Sequence, residues 1–159
     1  MSRRRPTLIA LSFCIALLLT VIPLPEPLPW LRPYWVAMVL IYWNIECPNE
    51  VGMGIAFVVG LVVDLTLGSL FGQHALGLVI IAYIVGRFRL RMRFFPLWQQ
   101  ALAVLAVLLN DRLIYAWVHG LTEHGVPDWR ICLAPLVATV LWPWVFLALD
   151  LTRQRLRTR

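Results

Sequence analysis

Lysine is absent from this 159-residue chain; all 14 basic residues are arginine, set against only 8 acids. Charged residues of both signs make up 14%. The three cysteines, Cys14, Cys47 and Cys132, form no CxxC and no Cys/His ligand spacing, so neither a disulfide framework nor a zinc site is implied. No nucleophile–base pair, phosphate loop, metal cluster or cofactor motif stands anywhere in the chain, which argues against an enzyme and implies no cofactor. Small-x-small cleavage sites are missing too: PLPEPLP follows the first apolar run, so that run reads as an uncleaved span and not a signal peptide.

What is present is apolar. The chain is 61% hydrophobic with a mean hydropathy of +0.80, where a soluble domain is about 45–50% apolar. The excess lies in long runs, the mark of a membrane protein. The net charge of +6 could suggest nucleic acid. The arginines cluster at the ends of the apolar runs, however, so membrane orientation explains them and no nucleic-acid partner is implied.

Six spans are expected, at about residues 8–22, 31–44, 51–67, 75–86, 97–118 and 131–151, making an all-α polytopic fold of one membrane domain over residues 1–159. The second and fourth runs are short against the ~20 residues that a crossing helix needs. A proline-rich turn over residues 23–33 separates the first two runs, and Trp30, Tyr34 and Trp35 mark one interface. Pro143, in LWPW, should kink the sixth run. Arg3, Arg4 and Arg5, then Arg87, Arg89, Arg91 and Arg93, then Arg153, Arg155, Arg157 and Arg159 place eleven of the fourteen arginines on one side. The positive-inside rule then sets both termini in the cytoplasm, and RFRLRMR (Arg87–Arg93) faces anionic headgroups.

Asp64 is the residue around which the rest is organised. It sits inside the third apolar run, in a series of small residues four apart: Gly52, Ala56, Gly60, Asp64, Gly68 and Gly72. Positions four apart share one helix face, and a small-residue face lets another helix approach closely. This face could meet a partner's span or the chain's own helices. An ionisable group at that depth must face protein or water; it is either a structural hydrogen-bonder or a functional group. At ~1.5 Å per residue, Asp64, Asp111 and Arg112 all lie roughly 20–23 Å from the cytoplasmic starts of their spans. Arg112 is therefore expected to face Asp64, or to snorkel past it, while Asp111 lies on the Gln100–Val104–Leu108–Tyr115 face. Asn110 sits beside them. A proton path through Asp64 would need a second acid on the inner half, and none is seen there. Elsewhere, Glu46 and Glu50 read as a solvated loop, Asp150 is expected to pair with Arg153, and His119, Glu123 and His124 read as an ordinary polar loop without the converging ligands of a metal site.

Several stretches together resemble the MreD family of bacterial rod shape-determining membrane proteins: RPYWVAMVLIYW in the second span, the Gly60–Asp64–Gly68–Gly72 series with Gln73-His74-Ala75, LWQQAL from Leu97, and LWPWVF from Leu141. The likeness covers essentially the whole chain. It implies a non-enzymatic subunit of the inner-membrane elongation machinery, working with the coiled-coil protein MreC, the actin-like MreB, and the synthase RodA with its transpeptidase. It also implies a fold similar to the S-components of energy-coupling-factor transporters: six helices around a possible pocket. Partner or pocket contacts would then fall on Asp64, Arg112, Asp111, Asn110, Gly60, Gly68, Gly72 and His74. The alternative is an S-component-like subunit that binds a small molecule or lipid.

Overall fold

The computed structural model describes residues 4–22, 32–69, 72–122 and 132–157. Among them are six α-helices and no strand: α1 (Arg4–Val21), α2 (Trp35–Glu46), α3 (Met53–Leu67), α4 (Gln73–Phe94), α5 (Leu97–Thr122) and α6 (Leu133–Arg157). Trp30 and most of the proline-rich turn, together with Glu123, His124 and the rest of the loop after α5, lie outside the described residues, as does the side chain of His119. Two helices, α5 and α6, are long and apolar enough to cross a membrane; α1, α2 and α3 are apolar but shorter.

The helix boundaries follow local chemistry. α3 stops at Gly68, whose φ of 64° is left-handed; its N–H bonds the carbonyl of Asp64, and the Ser69 N–H reaches the same oxygen at 3.3 Å. Only glycine enters that conformation without penalty. Gly72, at φ 96°, turns the chain into α4 in the same way. The small-residue series is thus helical only through Asp64; Gly68 and Gly72 are turn residues, which corrects the expectation of one continuous face. α5 begins just after Pro96, whose carbonyl accepts from the Gln99 and Gln100 N–H groups at 2.9 and 3.0 Å, the favoured place for a ring that has no N–H to give. α6 continues through Pro143.

α2 is the hub. Every residue from Val36 to Ile45 is buried, so the helix is apolar all round, as a fully enclosed helix must be. Twelve residues reach only ~18 Å. Instead of crossing a bilayer unaided, α2 packs against α4, α1, α6 and α5. Two polar side chains tie it to its neighbours: Asn44 Nδ2 donates to the Ala82 carbonyl of α4 at 3.0 Å, and Trp43 Nε1 donates to Ser12 Oγ of α1 at 2.8 Å.

α4 runs beyond the expected residues 75–86. The RFRLRMR stretch, taken above for the segment that closes the span, is its last two turns. These end where Gln100 of α5 donates from Nε2 to the Met92 and Phe95 carbonyls at 3.0 and 3.3 Å, satisfying two acceptors at a helix end. The outside of the bundle is lined with large apolar side chains. Leu65, Leu102, Leu113, Val140 and Trp144 are each more than half exposed, an inside-out pattern that water would not tolerate over such an area.

Candidate functional site

Asp64 is fully enclosed, with none of its side chain exposed. It lies on the last turn of α3 and points at the start of α4. Oδ1 accepts from Ser69 Oγ (2.8 Å), the His74 N–H (2.9 Å) and His74 Nδ1 (2.8 Å). Oδ2 accepts from the Gly72 N–H (2.9 Å) and the Ala75 N–H (3.3 Å). The N–H groups of the first turn of a helix have no partner within it. Usually the N-cap side chain supplies one. Here the N-cap is Gly72, which has no side chain to offer, and a carboxylate from the preceding helix takes its place. The negative charge also sits at the positive end of the α4 dipole. An ionised carboxylate only accepts, so Nδ1 is the donor in the His74–Oδ1 bond; Ser69 Oγ also lies 3.1 Å from that nitrogen.

The hairpin closes tightly around this bond set. A Cβ on Gly60 would run into the backbone of Ala75, so α3 and α4 are in contact at a point where only hydrogen fits. The stripe's upper part therefore packs on the chain's own α4: Ala56, Gly60, Val63 and Asp64 are all buried.

Arg112 is not among the described partners of Asp64. Its guanidinium carbon lies over the Tyr34 ring, 4.2 Å from the centroid, a cation–π contact. The expected pairing of Arg112 with Asp64 is corrected on that ground: both carboxylate oxygens are occupied by the start of α4. Asp111 faces α4, its Oδ1 against Gly77, where a Cβ would collide with it. Tyr34, Gln73, His74, Gly77, Asp111 and Arg112, with Leu76 and Ile114, surround a small cavity of about 30 Å³ whose wall is mostly apolar. The structure thus gathers His74, Asp111 and Arg112 at one end of the bundle, next to Asp64. Asn110 is partly buried beside Asp111. Gly68 and Gly72 have open space around them and serve the turn. Among the described residues, no group of three or more His, Cys, Asp or Glu side chains is placed to hold a metal.

A second charged cluster closes the opposite, arginine-rich end. Glu46, the last residue of α2, is 7% exposed. Arg153 Nη1 of α6 donates to its Oε2, and Arg93 Nε of α4 lies 4.0 Å from its Oε1. The Asp150–Arg153 pair forms as expected, at 3.0 Å. Tyr42 Oη and Gln154 Nε2 also donate to Asp150, at 3.4 and 2.6 Å. Reading Glu46 as a solvated loop residue is therefore wrong: it joins α2, α4 and α6. The topology placed Glu46 on the same face as RFRLRMR and the C-terminal arginines, but not within reach of any one of them. Of that basic stretch Arg93 enters the cluster; Arg87 and Arg91 are exposed on α4 and Arg89 is half-buried.

The family model for rod shape-determining protein MreD matches residues 1–152. Rod shape-determining protein MreD of Haemophilus influenzae is 36% identical over 145 residues, covering 91% of this chain and 90% of that protein. No solved structure matches. With a match across nearly its full length to both, the chain belongs to the MreD family of rod shape-determining proteins.

Proposed function

We propose that this chain is a membrane-embedded scaffold of the bacterial rod-shape apparatus, with six helices traversing the inner membrane and both termini in the cytoplasm. Family membership supports the rod-shape role. The scaffold reading is carried by one observation: two acidic side chains inside the bundle hold helices to each other. Asp64 fastens α3 to α4, and Glu46 fastens α2 to α4 and α6. Polar groups engaged in this way are not poised to transfer protons or groups to a substrate.

Partners are then met through outer helix faces and short loops. MreC is the first expected partner, with MreB and the RodA–transpeptidase pair beyond it, so that peptidoglycan synthesis is organised along the cell. Arg87, Arg89 and Arg91 lie on the cytoplasmic end of α4, where anionic headgroups attract arginine. The likeness to S-components belongs to the same proposal.

The test is complementation of a strain lacking the gene. Asp64→Ala and Glu46→Ala variants are scored in parallel for membrane level, co-purification of MreC and cell shape. The scaffold reading expects shape to fail only where level or co-purification fails. A variant present at full level, with MreC bound, in round cells would refute it.

A further inference from the structure

A groove of about 250 Å³ lies between α1, α2 and α6 and opens to the side of the bundle. We propose that it is a binding site for one acyl chain of a phospholipid, with the lipid's ester oxygens at the arginine-rich end. The assignment of leaflet rests on the topology proposed above; the groove and its chemistry do not.

Three observations select this occupant. The first is length. Along α1 the groove reaches from Leu8 to Leu19, eleven residues or ~16 Å of helix. That is about half of the ~30 Å hydrocarbon core, the depth of a single leaflet. A partner helix would instead run through both leaflets.

The second is the character of the walls. Leu11, Ile15, Leu19, Trp35, Val39 and Leu149 line the groove, with the smaller Ser12, Ala16, Ala148 and Thr152 among them. The small side chains leave a slot between the large ones. An alkyl chain is thin enough for the slot and gains dispersion contacts on both sides. Leu11 and Ile15 are half exposed or more, so the slot is reached laterally from the membrane.

The third is the hydrogen-bonding character of one end. Arg153 lines the groove there, beside Thr152, Ser12 and Trp43. Two guanidinium nitrogens of Arg153 are engaged, Nη1 by Glu46 and Nη2 by Asp150, so its charge is already matched. Its Nε–H is buried and has no acceptor among the described residues. A buried donor left in this way is costly. An oxygen from the ester region of a phospholipid supplies the acceptor. The tail then lies along the apolar walls, where it gains packing contacts.

The test uses the full chain, extracted from its own membrane in polymer-bounded discs and passed into mild detergent for native mass spectrometry. Ala148→Phe plugs the groove from α6 at an exposed lining position, and Leu11→Trp does so from α1. Val140→Phe, exposed on α6 away from the groove, is the control. The parent and Val140→Phe should carry one added phospholipid mass, and both plugs should carry it about tenfold less, the effect of roughly ten lost dispersion contacts. Equal lipid on all four proteins, or none on the parent, overturns the inference. So does an added mass that is a polyprenyl lipid or a single-span protein. Protection of a C-terminal tag in sealed vesicles reads the topology separately. A tag on the outer side would move the site to the other leaflet and leave the bound-lipid result standing.

Discussion

Replacing Asp64 with asparagine keeps the size of the side chain and removes only its charge and one acceptor, so it isolates what the carboxylate does. In the parent, Oδ2 meets two backbone donors, Gly72 and Ala75, and Oδ1 meets three donors from Ser69 and His74. An amide must place its NH2 group on one side or the other. On the Oδ2 side it faces two N–H groups that cannot rotate away. On the Oδ1 side it faces the His74 N–H, while the Ser69 hydroxyl can turn and the ring can shift its proton. The second orientation is the less costly, and it still sets one backbone donor against another. A buried group left without its partner costs about 1–3 kcal/mol, and loss of a cap at a helix start costs about 0.5–2 kcal/mol. Hydrogen bonds within membranes average nearer ~0.6 kcal/mol in measured cycles, which pulls the sum downward. Asp64→Asn should therefore destabilise by about 2–3 kcal/mol. Asp64→Ala, which leaves the Gly72, His74 and Ala75 N–H groups without the carboxylate, should cost more. Ser69→Ala, losing one rotatable hydroxyl, should cost about 1 kcal/mol. The assay is reversible unfolding in bicelles followed by tryptophan fluorescence, with all three variants measured against the parent. A stability for Asp64→Asn within ~0.5 kcal/mol of the parent, the spread of ordinary surface changes, would refute the claim that this carboxylate is the α4 cap.

Glycines supply a paired prediction. Gly60→Ala should cost about 1–3 kcal/mol by forcing α3 off Ala75, whereas Gly54→Ala on the same helix, with open space around it, should stabilise by about 0.5–1 kcal/mol; thermal unfolding ranks them. Glu46→Ala should cost about 2 kcal/mol, between the ~0–1 kcal/mol of an exposed pair and the ~3–5 kcal/mol of a buried one, and in hydrogen exchange the last turns of α4 and α6 should loosen together. Tyr34→Phe should be neutral or mildly stabilising, because the Tyr34 hydroxyl is buried and has no partner among the described residues. Tyr34→Leu should cost about 1 kcal/mol through loss of the ring beneath Arg112; equal stability of the Phe and Leu variants would sink that contact.

The helices were legible because their signals are periodic or chemical: apolar runs, Pro96 at a start, Gly68 at an end. α2 was legible as a short helix. Its position was not, since a segment apolar on every side looks the same whether lipid or protein surrounds it. The stretch over residues 75–86 understated α4 because the arginines after Val85 end the hydropathy while leaving helix formation intact; arginine is a good helix former. The partner of Asp64 was missed for a related reason. Depth along the spans correctly placed Asp64, Asp111 and Arg112 at one end, but ranking partners by charge alone overlooked backbone N–H groups, which no residue letter displays. Glu46 was missed because a short polar stretch with a proline resembles a loop, and the helix end hidden inside it appears only once α6 is packed alongside.

α4 is secured at both tips. Asp64 holds its first turn, while Gln100 and the Glu46–Arg93 contact hold its last. A rod of 22 residues clasped this way cannot unravel from either tip, and it cannot roll without releasing one clasp. The turn after α3 at one face of the bundle is thereby tied through a single helix to Arg93 at the other, ~30 Å away.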